Sequence, residues 1–125
     1  MRSYTVATVA LTLGVTPKWV DNALSRFAVA GVVLKGQGIS RKLAPRSVVS
    51  LYIAIELGNS LGLQLTDALR LGQIITADDA PSRIGLFPSA FLTIDIEAVT
   101  RELGERLAQA VEITPVPRRG RPPLK

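Results

Sequence analysis

The segment "TPKWVDNALSR", residues 16–26, holds the polar groups with the best spacing for joint work. A helix capped by Thr16 turns Val20 and Leu24, with Ala23, inward. Lys18, Trp19, Asn22, Ser25 and Arg26 are then left on its other faces. These groups donate and accept hydrogen bonds and carry charge. They do not supply covalent catalysis. The chain has no histidine and no cysteine. That excludes serine–histidine and cysteine–histidine nucleophile pairs, disulfides, and metal sites built on thiolate or imidazole. The scattered acids single out no carboxylate pair, and no cofactor is expected. The chemistry on offer is recognition, not reaction.

Charge says what could be recognised. Residues 1–50 hold Arg2, Lys18, Arg26, Lys35, Arg41, Lys42 and Arg46 against the single acid Asp21. Residues 51–112 hold nine acids and four bases, and residues 113–125 hold Arg118, Arg119, Arg121 and Lys125. Two basic ends flank an acidic middle. Basic segments seek polyanions and an acidic one is repelled by them, so the middle should face away from a nucleic acid.

The elements that position these groups follow from local signals. Of the 125 residues, 47% are apolar and only 5% aromatic, enough for one compact core built from aliphatic side chains. Thr5 caps a first helix whose apolar positions are Val6, Val9, Ala10 and Leu13. Gly14 ends it, Val15 fills the turn, Thr16 caps the second helix, and Pro17 occupies its first position. Val32, Val33 and Leu34, then "KGQG", then "ISRKL" predict a hairpin. A third helix starts near Pro45 and ends near Gly58 or Gly62. "LQLTDALRLGQII" predicts a fourth, with Thr66 as cap. "RIGLF" and "FLTIDI" predict a second small hairpin. A final helix carries the stripe Ile96, Val99, Leu103, Leu107 and Val111, with outer pairs Glu97–Arg101 and Glu102–Arg106. That stripe serves either to close the chain's own core or to pair with a second copy. No internal repeat is present. The first apolar stretch imitates a signal peptide, but the polar run after it is too long, so secretion is not expected. "VVSLYIAIELGNSLGL" is interrupted by Glu56 and Asn59 and does not span a membrane.

Ala10, Gly14, Val15 and Val20 fall where a helix-turn-helix needs its small contact residue, its turn glycine and its apolar anchors. The second helix can then present its N-terminal polar residues to a major groove. A plain helical hairpin meets the same spacing. At this point "YTVATVALTLGVTPKWVDNAL" resembles the opening helix-turn-helix of MerR-type and excisionase-like winged-helix proteins. "GISRKLAPRSVVSLYIAIELGNSLGLQLTDALRL" resembles their wing and the helix pair after it. The resemblance covers about residues 3–75. Arg41 matches the family's wing arginine. Leu43 stands where an aromatic is usual, and Ser47 where an acid is usual.

The resemblance implies a mainly α, winged helix-turn-helix domain over 1–75. A hairpin plus long helix follows over 76–112, where dimerisation could reside. It implies a recognition helix at 16–26 and a wing at about 32–43. Thr16, Lys18, Trp19, Asn22 and Arg26 are then the candidates for the DNA face. Asn22 suits adenine, Arg26 suits guanine, and Lys18 suits phosphate; Trp19 is equally well placed as a core residue. Lys35, Ser40, Arg41 and Lys42 would meet backbone phosphates or the minor groove, the other reading being a solvated charged loop. In "PRRGRPP", Arg119, Gly120, Arg121 and Pro122 resemble an AT-hook. An extended chain with Gly at its centre fits a narrow A·T-rich minor groove, where flanking arginines find the most negative potential. A basic solubilising tail is the alternative for residues 113–125.

The expectation is therefore a non-enzymatic bacterial or phage transcriptional regulator. It binds double-stranded DNA, acts as a homodimer, and works in the cytoplasm in association with the nucleoid. One alternative shares the fold, an excisionase-like architectural factor that bends DNA; another is of a different class, an antitoxin-type module that binds a partner protein through residues 76–112 with autoregulatory DNA binding. Any small-molecule effector is left open.

Overall fold

The computed structural model describes residues 3–33, 41–81 and 83–113. Among them it shows five helices and two small antiparallel sheets. The protein is mainly helical.

The N-terminal part forms as its caps require. Strand β1 (Tyr4–Thr5) leads into helix α1 (Val6–Leu13). The Thr5 hydroxyl accepts from the Thr8 N–H, and Gly14 closes the helix in the left-handed conformation at φ 73°. Helix α2 (Pro17–Arg26) follows after three residues, with Thr16 accepting from the Trp19 N–H. Ala10 and Val20 are buried where α1 and α2 meet.

Strands β2 (Val32–Val33) and β3 (Lys42–Leu43) pair antiparallel, as the hairpin expectation requires. Their expected continuations, including Leu34, lie outside the described residues. The sheet has a third member that the pattern does not predict. β1 pairs with β3, so the order is β1-β3-β2, with Leu43 opposite both Tyr4 and Val32. Leu43 is wholly buried at this centre. An aromatic ring is not needed there because two strands and α3 already cover the position.

Helix α3 (Pro45–Leu61) ends at Gly62, φ 72°, rather than at Gly58. Helix α4 (Leu65–Ile75) begins two residues earlier than a Thr66 cap would set it. Gln64 is the N-cap without a side-chain bond, and Thr66 lies inside the first turn. α3 and α4 are packed against each other. Gly72 permits the contact: a Cβ there would stand 2.7 Å from the Ser50 carbonyl oxygen.

The second hairpin pairs β4 (Ile84–Phe87) with β5 (Ala90–Leu92). Helix α5 (Ile96–Ile113) packs on α1 and α3. Its buried positions are Leu103, Leu107 and Ala110. Val111, expected in the stripe, is exposed, because one full turn beyond Leu107 the face toward α1 is held by Ala110 instead. The stripe thus closes the core of its own chain. Glu102 and Arg106 form their i,i+4 ion pair at 2.9 Å, while among the described residues Glu97 and Arg101 do not pair.

Candidate nucleic-acid interface

Helix α2 turns Val20 and Ala23 into the core and leaves Lys18, Asn22 and Arg26 in solvent. Those three lie at i, i+4 and i+8, along one side of the helix. Thr16 is exposed, and its hydroxyl is committed to the cap. Trp19 is half-buried and packed against the core cluster, so part of its ring serves as an anchor. Arg26 reaches back over the Phe27 ring, 5.4 Å from its centroid. It remains exposed.

Arg41 has a specific place. One of its nitrogens donates to the Asp21 carboxylate at 3.2 Å and to the Asp21 carbonyl at 3.1 Å. The other donates to the Ser25 hydroxyl at 3.0 Å. The guanidinium expected to face phosphate is therefore turned onto α2. There it bridges the start of β3 to the helix and offsets the single acid of residues 1–50. Asp21 and Ser25 were not singled out by sequence reasoning for this role. The one available signal was that solitary acid in a basic half.

Lys42 lies on β3 opposite Thr5 and Val33, half-buried. Lys35, Ser40, Arg118, Arg119, Gly120 and Arg121 lie outside the described residues.

The root of the first hairpin is held from below. Ser47, buried at the start of α3, donates to the Ala30 carbonyl at 2.6 Å. Gly31 has φ 92°, and a Cβ there would come within 2.5 Å of the Ser47 oxygen. The Ala44 N–H donates to the Gly31 carbonyl at 2.9 Å. From α4, Gln73 donates to the Ala28 carbonyl at 2.6 Å and accepts from the Ala30 N–H at 2.9 Å. Sequence reasoning passed over Ser47 and Gln73 as supports of this hairpin root. Their partners are 17 to 45 residues away, and no local pattern marks such distant bonds.

Among the described residues no group of three or more acidic, histidine or cysteine side chains could hold a metal ion. No described helix is long and apolar enough to cross a membrane.

No protein-family model matches the chain, and no curated protein matches it in sequence.

Proposed function

We propose that the chain is a non-enzymatic, sequence-specific DNA-binding protein of the winged helix-turn-helix kind, acting as a transcriptional regulator. Helix α2 is its reading head, and the β2–β3 hairpin is its wing. One observation carries this reading: α2 is anchored by Val20 and Ala23 while Lys18, Asn22 and Arg26 stand exposed along its outer side. The amide and guanidinium have the donor and acceptor sets that base edges match. Arg41 supports the reading indirectly. By bonding Asp21 it offsets a negative charge that would face the phosphates, and it ties the start of β3 to α2. The two-fold symmetry of most DNA sites makes a homodimer part of the proposal. The α5 face bearing Leu103, Leu107 and Ala110 lies in the core, so pairing through α5 would use its outer face.

The test starts from DNA recovered by the intact protein from a pool of random duplexes. The double substitution Asn22→Ala and Arg26→Ala should abolish retention of the selected site. Its unfolding temperature should stay within a few degrees of the parent, since both side chains are exposed. Unchanged retention would remove α2 from the role of reader.

A second reading has its own observation. Leu86, Phe87 and Phe91 are large apolar side chains exposed together on the β4–β5 hairpin. Clustered apolar surface marks protein contacts. It favours the module in which residues 76–112 bind a partner protein and DNA binding is autoregulatory. Stable co-purification of one protein, lost with Phe87→Ser, would select that reading.

A further inference from the structure

A cleft of about 790 Å³ opens where the first hairpin's root, α3, α4, the second hairpin and α5 converge. Its walls are Val49 of α3, Ile75 of α4, Ile84 and Leu92 of the second hairpin, and Ile96 of α5. Gly31 and Ala44 border it from the root of the first hairpin. The volume falls within the range of small-molecule sites, roughly 300–1,000 Å³, which combine apolar walls with a few polar anchors.

The polar groups at its edge are uneven in sign. Arg46 and Arg83 line the cleft, with Asp78 as the opposing carboxylate. Neither arginine forms an ion pair among the described residues. Arg83 is held in place by the Phe91 ring, 3.8 Å beneath its guanidinium. A cation stacked on an aromatic face keeps its in-plane N–H donors available for a bidentate acceptor. The Thr76 hydroxyl is already engaged with Ser50 and the Gly72 carbonyl, so it is not a ready anchor.

We propose that this cleft binds a small amphipathic carboxylic acid. The apolar body lies against Val49, Ile75, Leu92 and Ile96, and the carboxylate is held at the mouth by Arg46 and Arg83. The walls exclude a polar metabolite such as a sugar, whose hydroxyls would go unpaired there. Two guanidiniums against one carboxylate select an anion over a neutral amphiphile. This inference does not depend on DNA binding, and its test contains no DNA.

The probes are decanoate and decanol, titrated calorimetrically into the full chain below the concentrations at which either aggregates. Decanoate should bind saturably, near one per chain, and more tightly than decanol. The double substitution Arg46→Ala and Arg83→Ala should weaken decanoate by at least about tenfold, the scale of a lost charge-assisted bond, and leave decanol unchanged. Thr100→Trp fills the cleft from an exposed position of α5 and should abolish both. Circular dichroism of each variant should match the parent, which keeps a binding loss from being a folding loss. The proposal is overturned if decanoate does not saturate, if acid and alcohol bind alike, or if folded Thr100→Trp still binds decanoate as the parent does.

Discussion

Arg41 shows how much one side chain can decide. With 24% of its side chain exposed and three bonds to α2, it is better held than an ordinary surface cation. Exposed ion pairs contribute about 0–1 kcal/mol, so its worth to stability is small. Its worth to orientation is larger, because it is a side-chain tie between β3 and the exposed part of α2. Arg41→Ala should lower stability by about 1 kcal/mol in denaturant titration. It should weaken retention of the selected DNA far more than that, by uncovering Asp21. Adding Asp21→Asn to Arg41→Ala should restore part of the binding. If the double variant binds no better than Arg41→Ala alone, the charge argument fails. Tyr52 gives a pH signature. Burial, with Glu56 and Glu102 nearby, pushes its phenol above the usual value of 10.0, while Arg106 pulls the other way. The folded state thus holds the proton more tightly than the unfolded chain does. Stability attached to Tyr52 is full below pH 10 and is lost as pH rises through the folded-state value. Tyr52→Phe should flatten the fall in stability above pH 10, measured as unfolding midpoint against pH.

Elements differ in how openly the sequence declares them. Thr5, Gly14, Thr16 and Pro17 fix the ends of α1 and α2 through bonds to near neighbours, and those ends were legible. Strand β1 was not. Tyr4 and Thr5 are strand because Leu43 and Lys42 lie beside them, nearly forty residues on, and two residues carry no period. Thr66 has the right side chain for a cap, yet the helix starts at Leu65, where the turn after Gly62 delivers the chain. The exposed face of α2 was legible from helical spacing. The tie between Arg41 and α2 was not, because charge patterning shows which groups could pair and not which are brought together. The α3–α4 crossing rests on Gly72. Gly72→Ala forces its methyl group onto the Ser50 carbonyl, 2.7 Å away, against a helix-propensity gain of up to about 1 kcal/mol. The clash should win, with a net loss of about 1–3 kcal/mol in thermal or denaturant unfolding. A neutral or stabilising result would mean that the two helices separate freely.

At the scale of the molecule, the charge layout governs association with a polyanion. The chain carries a net charge of +5, concentrated at its two ends. Affinity for DNA should fall steeply with salt, each neutralised phosphate contributing about 0.9 to the slope of log K against log salt. Lys18→Ala should reduce the size of that slope by about one and leave the preferred sequence unchanged, as a phosphate contact does. A changed preference with an unchanged slope would instead make Lys18 a reader of bases.

The amide of Gln73 is paired twice, donating to Ala28 and accepting from Ala30. It acts toward residues 28–30 as a neighbouring strand would, offering one N–H and one C=O to a backbone that lacks a ladder there. Glutamate is nearly the same shape and could still accept from Ala30, but it would set an oxygen lone pair against the Ala28 carbonyl. What position 73 requires is a count of protons, and an isosteric acid, however well it fits the space, leaves that count one short.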